Sequence, residues 1–92
     1  MAELIDNTTR NRFEMTQEGQ LTHLEYTRDA NGLTLHYIKV PKALEGRGFA
    51  AELLRAVLGR AREQGLKVIP ICSYVQTFLR RHPEYADLLA TT

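Results

Sequence analysis

The apolar residues change their period on either side of Pro41. Before it, Phe13 and Met15, then Leu24 and Tyr26, then Leu33, Leu35 and Tyr37 recur at every second position. That spacing puts side chains on one face of a pleated strand. After it, Ala50, Leu53, Leu54, Val57, Leu58 and Ala61 recur at i, i+3 and i+4, while Glu52, Arg55, Arg60 and Glu63 face the other way. That is the pattern of a helix with a single apolar stripe. A chain broken in this way falls in the mixed α+β class, with strands first and a helix after them.

Turn signals divide the first half. Gly19 sits in TQEGQ, and Asp29-Ala30-Asn31-Gly32 ends in an Asn-Gly pair suited to a hairpin. Three antiparallel strands are expected at about 10–16, 20–28 and 33–40. Pro41 closes the third, since it has no N–H for the ladder, and Gly65 is the expected stop of the first helix. Lys67 to Cys72 has the composition of a buried strand, with Pro70 arguing for an edge or a bulge. Ser73 and Gln76 form an S-x-x-Q capping box, so a second helix is expected from Tyr74, ending before His82 because Pro83 follows. Residues 84–89 fit one more short helical piece. The order is β-β-β-α-β-α, and the crossover helix makes the third and fourth strands parallel.

Ninety-two residues at 43% hydrophobic content suit one domain over residues 1–92 with a single core. Twelve basic against eleven acidic side chains leave a formal charge of +1, too small a field to drive nucleic-acid or anionic-membrane binding. The apolar runs fall well short of the roughly 20 residues that cross a bilayer. One cysteine cannot form an internal disulfide, and the N-terminus lacks the basic and apolar regions of a secretory signal, which points to a cytoplasmic setting. The three histidines share no metal-ligand spacing with one another or with Cys72, so no metal site is expected.

The segment ALEGRGFA, residues 43–50, joins the third strand to the first helix. Backbone N–H groups at a helix start have no intrahelical partner, and the helix dipole is positive there. Gly46 and Gly48 remove the Cβ atoms that would hold a phosphate away, and Arg47 offers a charged contact. A tight turn alone would also explain two glycines. A Walker loop is ruled out because no Gly-Lys-Ser/Thr follows. The G-x-G-x-x-A of a dinucleotide fingerprint is present in letters, but it follows three meandering strands and not the first strand of a parallel unit.

Gly48-Phe49-Ala50 resembles the G-x-A half of the R/Q-x-x-G-x-G/A pattern of the GNAT superfamily of acyl-CoA-dependent N-acetyltransferases, with Glu45 standing where Arg or Gln is usual. Pro70-Ile71-Cys72-Ser73-Tyr74 and Arg81-His82-Pro83-Glu84-Tyr85 are similar to segments of a small, single-domain, YjdJ-like acetyltransferase-related family. The likeness covers roughly residues 10–90. It implies a GNAT-like mixed sheet, acetyl-CoA as co-substrate, and a small amine or a protein amine as acceptor. It implies further that Lys39 and Val40 pair with the pantetheine arm, and that the amides of Gly46, Arg47, Gly48, Phe49 and Ala50 hold the pyrophosphate. The thioester would then lie between the third and fourth strands near Cys72. The helices that usually wall the acceptor site have no counterpart in residues 1–40, leaving that pocket open or completed by a second subunit, as in a monomer or a weak homodimer.

Three roles fit Cys72, which stands at a strand end before a helix start that can lower a thiol pKa: nucleophile, acid for the departing thiolate, or small buried hydrophobe. An amine acceptor needs a base or a desolvating pocket. His82 has a suitable pKa but also the position of a helix cap, whereas His23 and His36 lie on strands. Tyr74 and Tyr85 are either donors to the thiolate or packing residues. Arg80, Arg81 and His82, with Lys42 and Arg47, form a basic group for the 3′-phosphate of coenzyme A or an ordinary solvated surface. Two other classes of function fit the same residues: a binding module that holds acyl-CoA without turnover, and a thiol redox or anion sensor, which the absence of a resolving cysteine disfavours.

Overall fold

The computed structural model describes residues 3–90. Strands β1 (Ile5–Asn7), β2 (Arg12–Gln17), β3 (Gln20–Asp29) and β4 (Gly32–Lys39) form an antiparallel meander. A short 3-10 turn, Lys42–Leu44, leads to helix α1 (Phe49–Glu63), which crosses back to β5 (Val68–Pro70). Helix α2 (Ser73–Arg81) and a 3-10 segment, Pro83–Leu88, complete the chain. The five strands lie in sequence order, and β5 runs parallel to β4 as the crossover requires.

The alternation read from the sequence puts Phe13, Met15, Leu24, Tyr26, Leu33 and Leu35 on one face, where they are buried under Leu53, Leu54, Val57 and Leu58 of α1. Val75, Phe78 and Leu79 of α2 join the same core. β1 was not expected, because three residues with no apolar alternation give no strand signal. It is held by pairing to β2 and by the Tyr26 hydroxyl, which donates to Asp6. Burial and that carboxylate push the Tyr26 phenol up to about 12 and keep it a donor.

Tyr37 departs from the expected alternation. Tyr26 pairs with Leu35 but Glu25 pairs with Tyr37, so His36 is an extra residue in β4, a β-bulge. Beyond it the faces exchange, leaving Tyr37 48% exposed and turning Ile38 against the core. β5 pairs with β4 only up to Leu35↔Pro70, and the Leu35 carbonyl then receives the N–H groups of both Ile71 and Cys72, each at 3.0 Å. From His36 onward the β5-facing edge of β4 has no strand partner among the described residues. The bulge and the early end of β5 together split the sheet at this point.

β5 docks closely. A Cβ on Gly32 would lie 2.4 Å from the Lys67 carbonyl oxygen, which accepts the Leu33 N–H at 2.8 Å. The expected Asn-Gly turn therefore closes one residue early, on Ala30 and Asn31, with Gly32 already paired to Asp29. Gly65 ends α1 as expected: Leu66 donates to Ala61 and Gly65 to Arg62, a Schellman closure. Pro70 lies on the edge strand, which Leu89 extends by one parallel bridge at Val68.

The capping box does not form. Cys72 occupies the N-cap, Ser73 is the first helical residue, and no side chain caps the helix start. With Cys72 as N-cap, Gln76 stands one residue beyond the position the box requires, and its amide donates to the carbonyl oxygens of Pro70 and Ile71, at 3.0 and 3.4 Å. The helix ends before His82, whose extended backbone follows from Pro83. No helix among the described residues is long and apolar enough to cross a membrane.

Candidate active site

Gly48 is the N-cap of α1 at φ 82°, and Gly46 adopts φ 76°. Side chains are strained in this left-handed region, so both positions favour glycine. A Cβ at either would meet nothing within 4 Å, so the space before the turn is free of protein atoms. The first intrahelical bond is Glu52 N–H to the Gly48 carbonyl. The N–H groups of Phe49, Ala50 and Ala51 consequently have no acceptor among the described residues. They stand at the positive end of a 15-residue helix, where an anion is stabilised.

A cavity of about 220 Å³ opens at this turn, bordered by Val40, Leu44, Gly48, Phe49, Ala50 and Tyr74. Val40 follows β4 and Tyr74 is the second residue of α2, so the cavity spans from the start of α1 to the chain just beyond β4 and the first turn of α2. Lys39 is exposed at the end of β4, paired in register with His23. Glu45 also borders the cavity, and its charge opposes an anion there. Arg47 turns outward, paired with Glu18 at 3.0 Å and lying over the Phe49 ring at 5.2 Å from its centre.

The loop is tied to the sheet through two polar residues on the apolar face. Gln17 and Thr22, 3% and 0% exposed, continue the alternation of Phe13-Met15 and of Leu24-Tyr26. The Thr22 hydroxyl lies 2.7 Å from the Gln17 carbonyl oxygen Oε1, and Gln17 Nε2 donates to the Phe49 carbonyl at 3.2 Å. A buried amide thus fixes the first residue of α1 against the β2–β3 hairpin. Sequence reasoning passed over this pair, although a polar residue in phase with an apolar face is a readable signal. Gln17→Leu removes the side-chain donor to the Phe49 carbonyl, while the Thr22 hydroxyl keeps the Met15 carbonyl at 2.8 Å as acceptor. The expected cost is roughly 0.5–1.5 kcal/mol, seen in thermal melts as a drop of several degrees.

Cys72 is half-buried and packs against the core at the N-cap of α2. Tyr74 is 38% exposed, and partial burial raises its phenol above the ordinary value, with the Cys72 side chain acting in the same direction and Arg55 against it. It is therefore a protonated donor at neutral pH. His82 caps α2, its Nδ1 lying 2.8 Å from the Phe78 carbonyl, and its Nε2 lies 3.3 Å from Arg55 Nη2. The carbonyl only accepts and the guanidinium only donates, so the two contacts together require the neutral Nδ1–H tautomer. His82 stacks on Phe78 with ring centres 4.0 Å apart. His23 pairs with Glu25 and His36 with Thr27, both on the opposite face of the sheet from α1. Tyr85 packs near Phe78.

The expected basic group is divided. Arg81 and His82 line a second cavity of about 190 Å³ with Arg55, Tyr74 and Phe78, whereas Arg80 turns to Thr77. Arg55 carried no sequence signal, since a polar residue on a helix surface reads the same whether or not a second helix lies beside it.

A model of the GCN5-related N-acetyl-transferase family matches residues 12–88. The chain belongs to that family. The GCN5-related fold is matched over 98% of this chain and 89% of the other by the NMR solution structure of a GCN5-like protein from Staphylococcus aureus, with a TM-score of 0.72 and 28% identity. Protein NATD1 of Bos taurus is 37% identical over 49 residues, which are 53% of this chain. The aligned stretch spans 43% of that relative's length.

Proposed function

We propose that this chain transfers an acetyl group from acetyl-CoA to an amine. The observation that carries the reading is the run of unpartnered amides at the start of α1, opening onto a cavity bordered by Val40 and Tyr74. In this reading the amides of residues 46–50 hold the pyrophosphate, with Arg47 joining once its exposed pair with Glu18 opens. The unpartnered edge of β4 near Lys39 and Val40 takes the amides of the pantetheine arm. When bound, acetyl-CoA supplies acetyl activated as a thioester.

Cys72 and Tyr74 then act on the reacting carbon and the departing sulfur. A Cys72 thiolate that attacks the carbonyl forms a new S–C bond as the old one breaks, and the departing thiolate takes a proton from the Tyr74 phenol. The amine next attacks the acetyl-cysteine, its proton passes to the Tyr74 phenolate, and the Cys72 thiolate leaves, which restores both side chains. In direct transfer the amine attacks the thioester itself, and Cys72 or Tyr74 supplies the proton to the leaving sulfur. The acceptor is a small amine or a protein amine, handled in the cytoplasm by a monomer or a weak homodimer.

A binding module without turnover is the second reading. It is favoured by the engagement of both His82 nitrogens, which leaves no free imidazole base beside the cavity. Incubation with acetyl-CoA and a panel of polyamines, peptides and small amines, read by free-thiol release, separates the two. Amine-dependent release supports transfer; calorimetric binding with no release across the panel supports the module.

A further inference from the structure

We infer that Glu45 is a charge brake on the coenzyme: its carboxylate repels the diphosphate at the start of α1, keeps the hold on it loose, and so sets the coenzyme concentration at which the chain fills. The inference rests on the coenzyme reading above. Glu45 immediately precedes the glycine turn, and its N–H donates to the Lys42 carbonyl at 3.2 Å, which fixes its place at the end of the 3-10 turn. It borders the same cavity as Gly46, Gly48, Phe49 and Ala50.

The carboxylate is uncompensated. Asp6, Glu14, Glu18 and Asp87 each lie within salt-bridge distance of a guanidinium, but Glu45 has no basic partner among the described residues. Arg47, the basic residue of the turn itself, gives its charge to Glu18, and Lys42, three residues earlier, does not border the cavity. Attraction for a diphosphate therefore comes from the partial charges of the helix-start amides, and a full negative charge stands beside them. Like charges held a few ångströms apart at an exposed surface shift an equilibrium by about threefold to tenfold. Acetyl-CoA and coenzyme A carry the same diphosphate, so substrate and product are loosened alike, and spent coenzyme occupies less of the protein at a given concentration.

Calorimetric titration of the full chain with coenzyme A, repeated at low and high salt, tests this. Glu45→Gln is expected to bind roughly threefold to tenfold more tightly than the wild type at low salt. Its affinity is expected to fall more steeply as salt is added, because the wild type regains part of its loss when salt screens the repulsion. Glu45→Asp keeps the charge and stays near the wild type, which separates charge from side-chain size. Glu63→Gln removes the same charge at the far end of α1 and leaves the affinity unchanged. Equal or weaker binding by Glu45→Gln overturns the inference and leaves the coenzyme reading standing, as does equal tightening in Glu45→Asp or Glu63→Gln. Failure of coenzyme A to bind the wild type and Glu45→Gln alike overturns the coenzyme reading, and the inference with it.

Discussion

Gly48→Val is expected to abolish detectable binding of coenzyme A in titration calorimetry while the circular dichroism of the fold persists. Two effects separate cleanly at this position. The backbone there is left-handed, and holding a β-branched residue in it costs of order 1–3 kcal/mol, a fall of roughly 5–15 °C in Tm. A valine Cβ meets no protein atom within 4 Å, so packing adds nothing to that cost. The side chain instead occupies the space in front of the Phe49, Ala50 and Ala51 amides, where the diphosphate would have to approach to hydrogen-bonding distance. Gly48→Ala, with a smaller obstruction and the same backbone strain, is expected to bind weakly. Unchanged affinity in both variants would remove the turn from the site.

Cys72→Ala is expected to slow amine acetylation by at least roughly 100-fold, the lower range for loss of a proton-transfer group and less than the loss of a nucleophile. Intact-mass measurement after incubation with acetyl-CoA distinguishes the two roles. A covalent acetyl on the wild type that is absent from Cys72→Ala assigns the nucleophile. A slowed Cys72→Ala with no covalent acetyl on the wild type assigns the acid. Equal rates in wild type and variant would leave Cys72 as a packing residue, consistent with its contact with the core. The coenzyme affinity of Cys72→Ala serves as the control, since the thiol is not among the groups proposed to hold the diphosphate.

What could be read from the sequence follows from the range over which each cause acts. Alternation in β2, β3 and the first half of β4 and the helical stripe of α1 are local, repeated over several residues, and were legible. So were the stop at Gly65 and the end of α2 before Pro83, each set by one residue's backbone. The capping box failed because the helix starts one residue earlier than its serine cap requires, at Cys72, whose N–H is bound to Leu35, 37 positions earlier, a fact of strand pairing. β1 has three residues and owes its place to β2 and Tyr26. At the candidate site the glycine turn, Cys72, Tyr74 and His82 were singled out by type and position. Arg55 was not, because its setting against Phe78 and His82 is made by the packing of two helices far apart in the chain.

The single supernumerary residue in β4 bears on how such a chain can change. Between Leu35 and Ile38 the register depends on how many residues intervene and hardly at all on which they are. Exchange of His36 for another side chain leaves the mouth of the sheet where it is. Deletion of that one residue would restore plain alternation, with Tyr37 still outward opposite Glu25 and Ile38 still inward opposite Leu24, and would remove the bulge. The bend at that point is therefore written in chain length, and an insertion or deletion there alters it in a way that no nearby point substitution does.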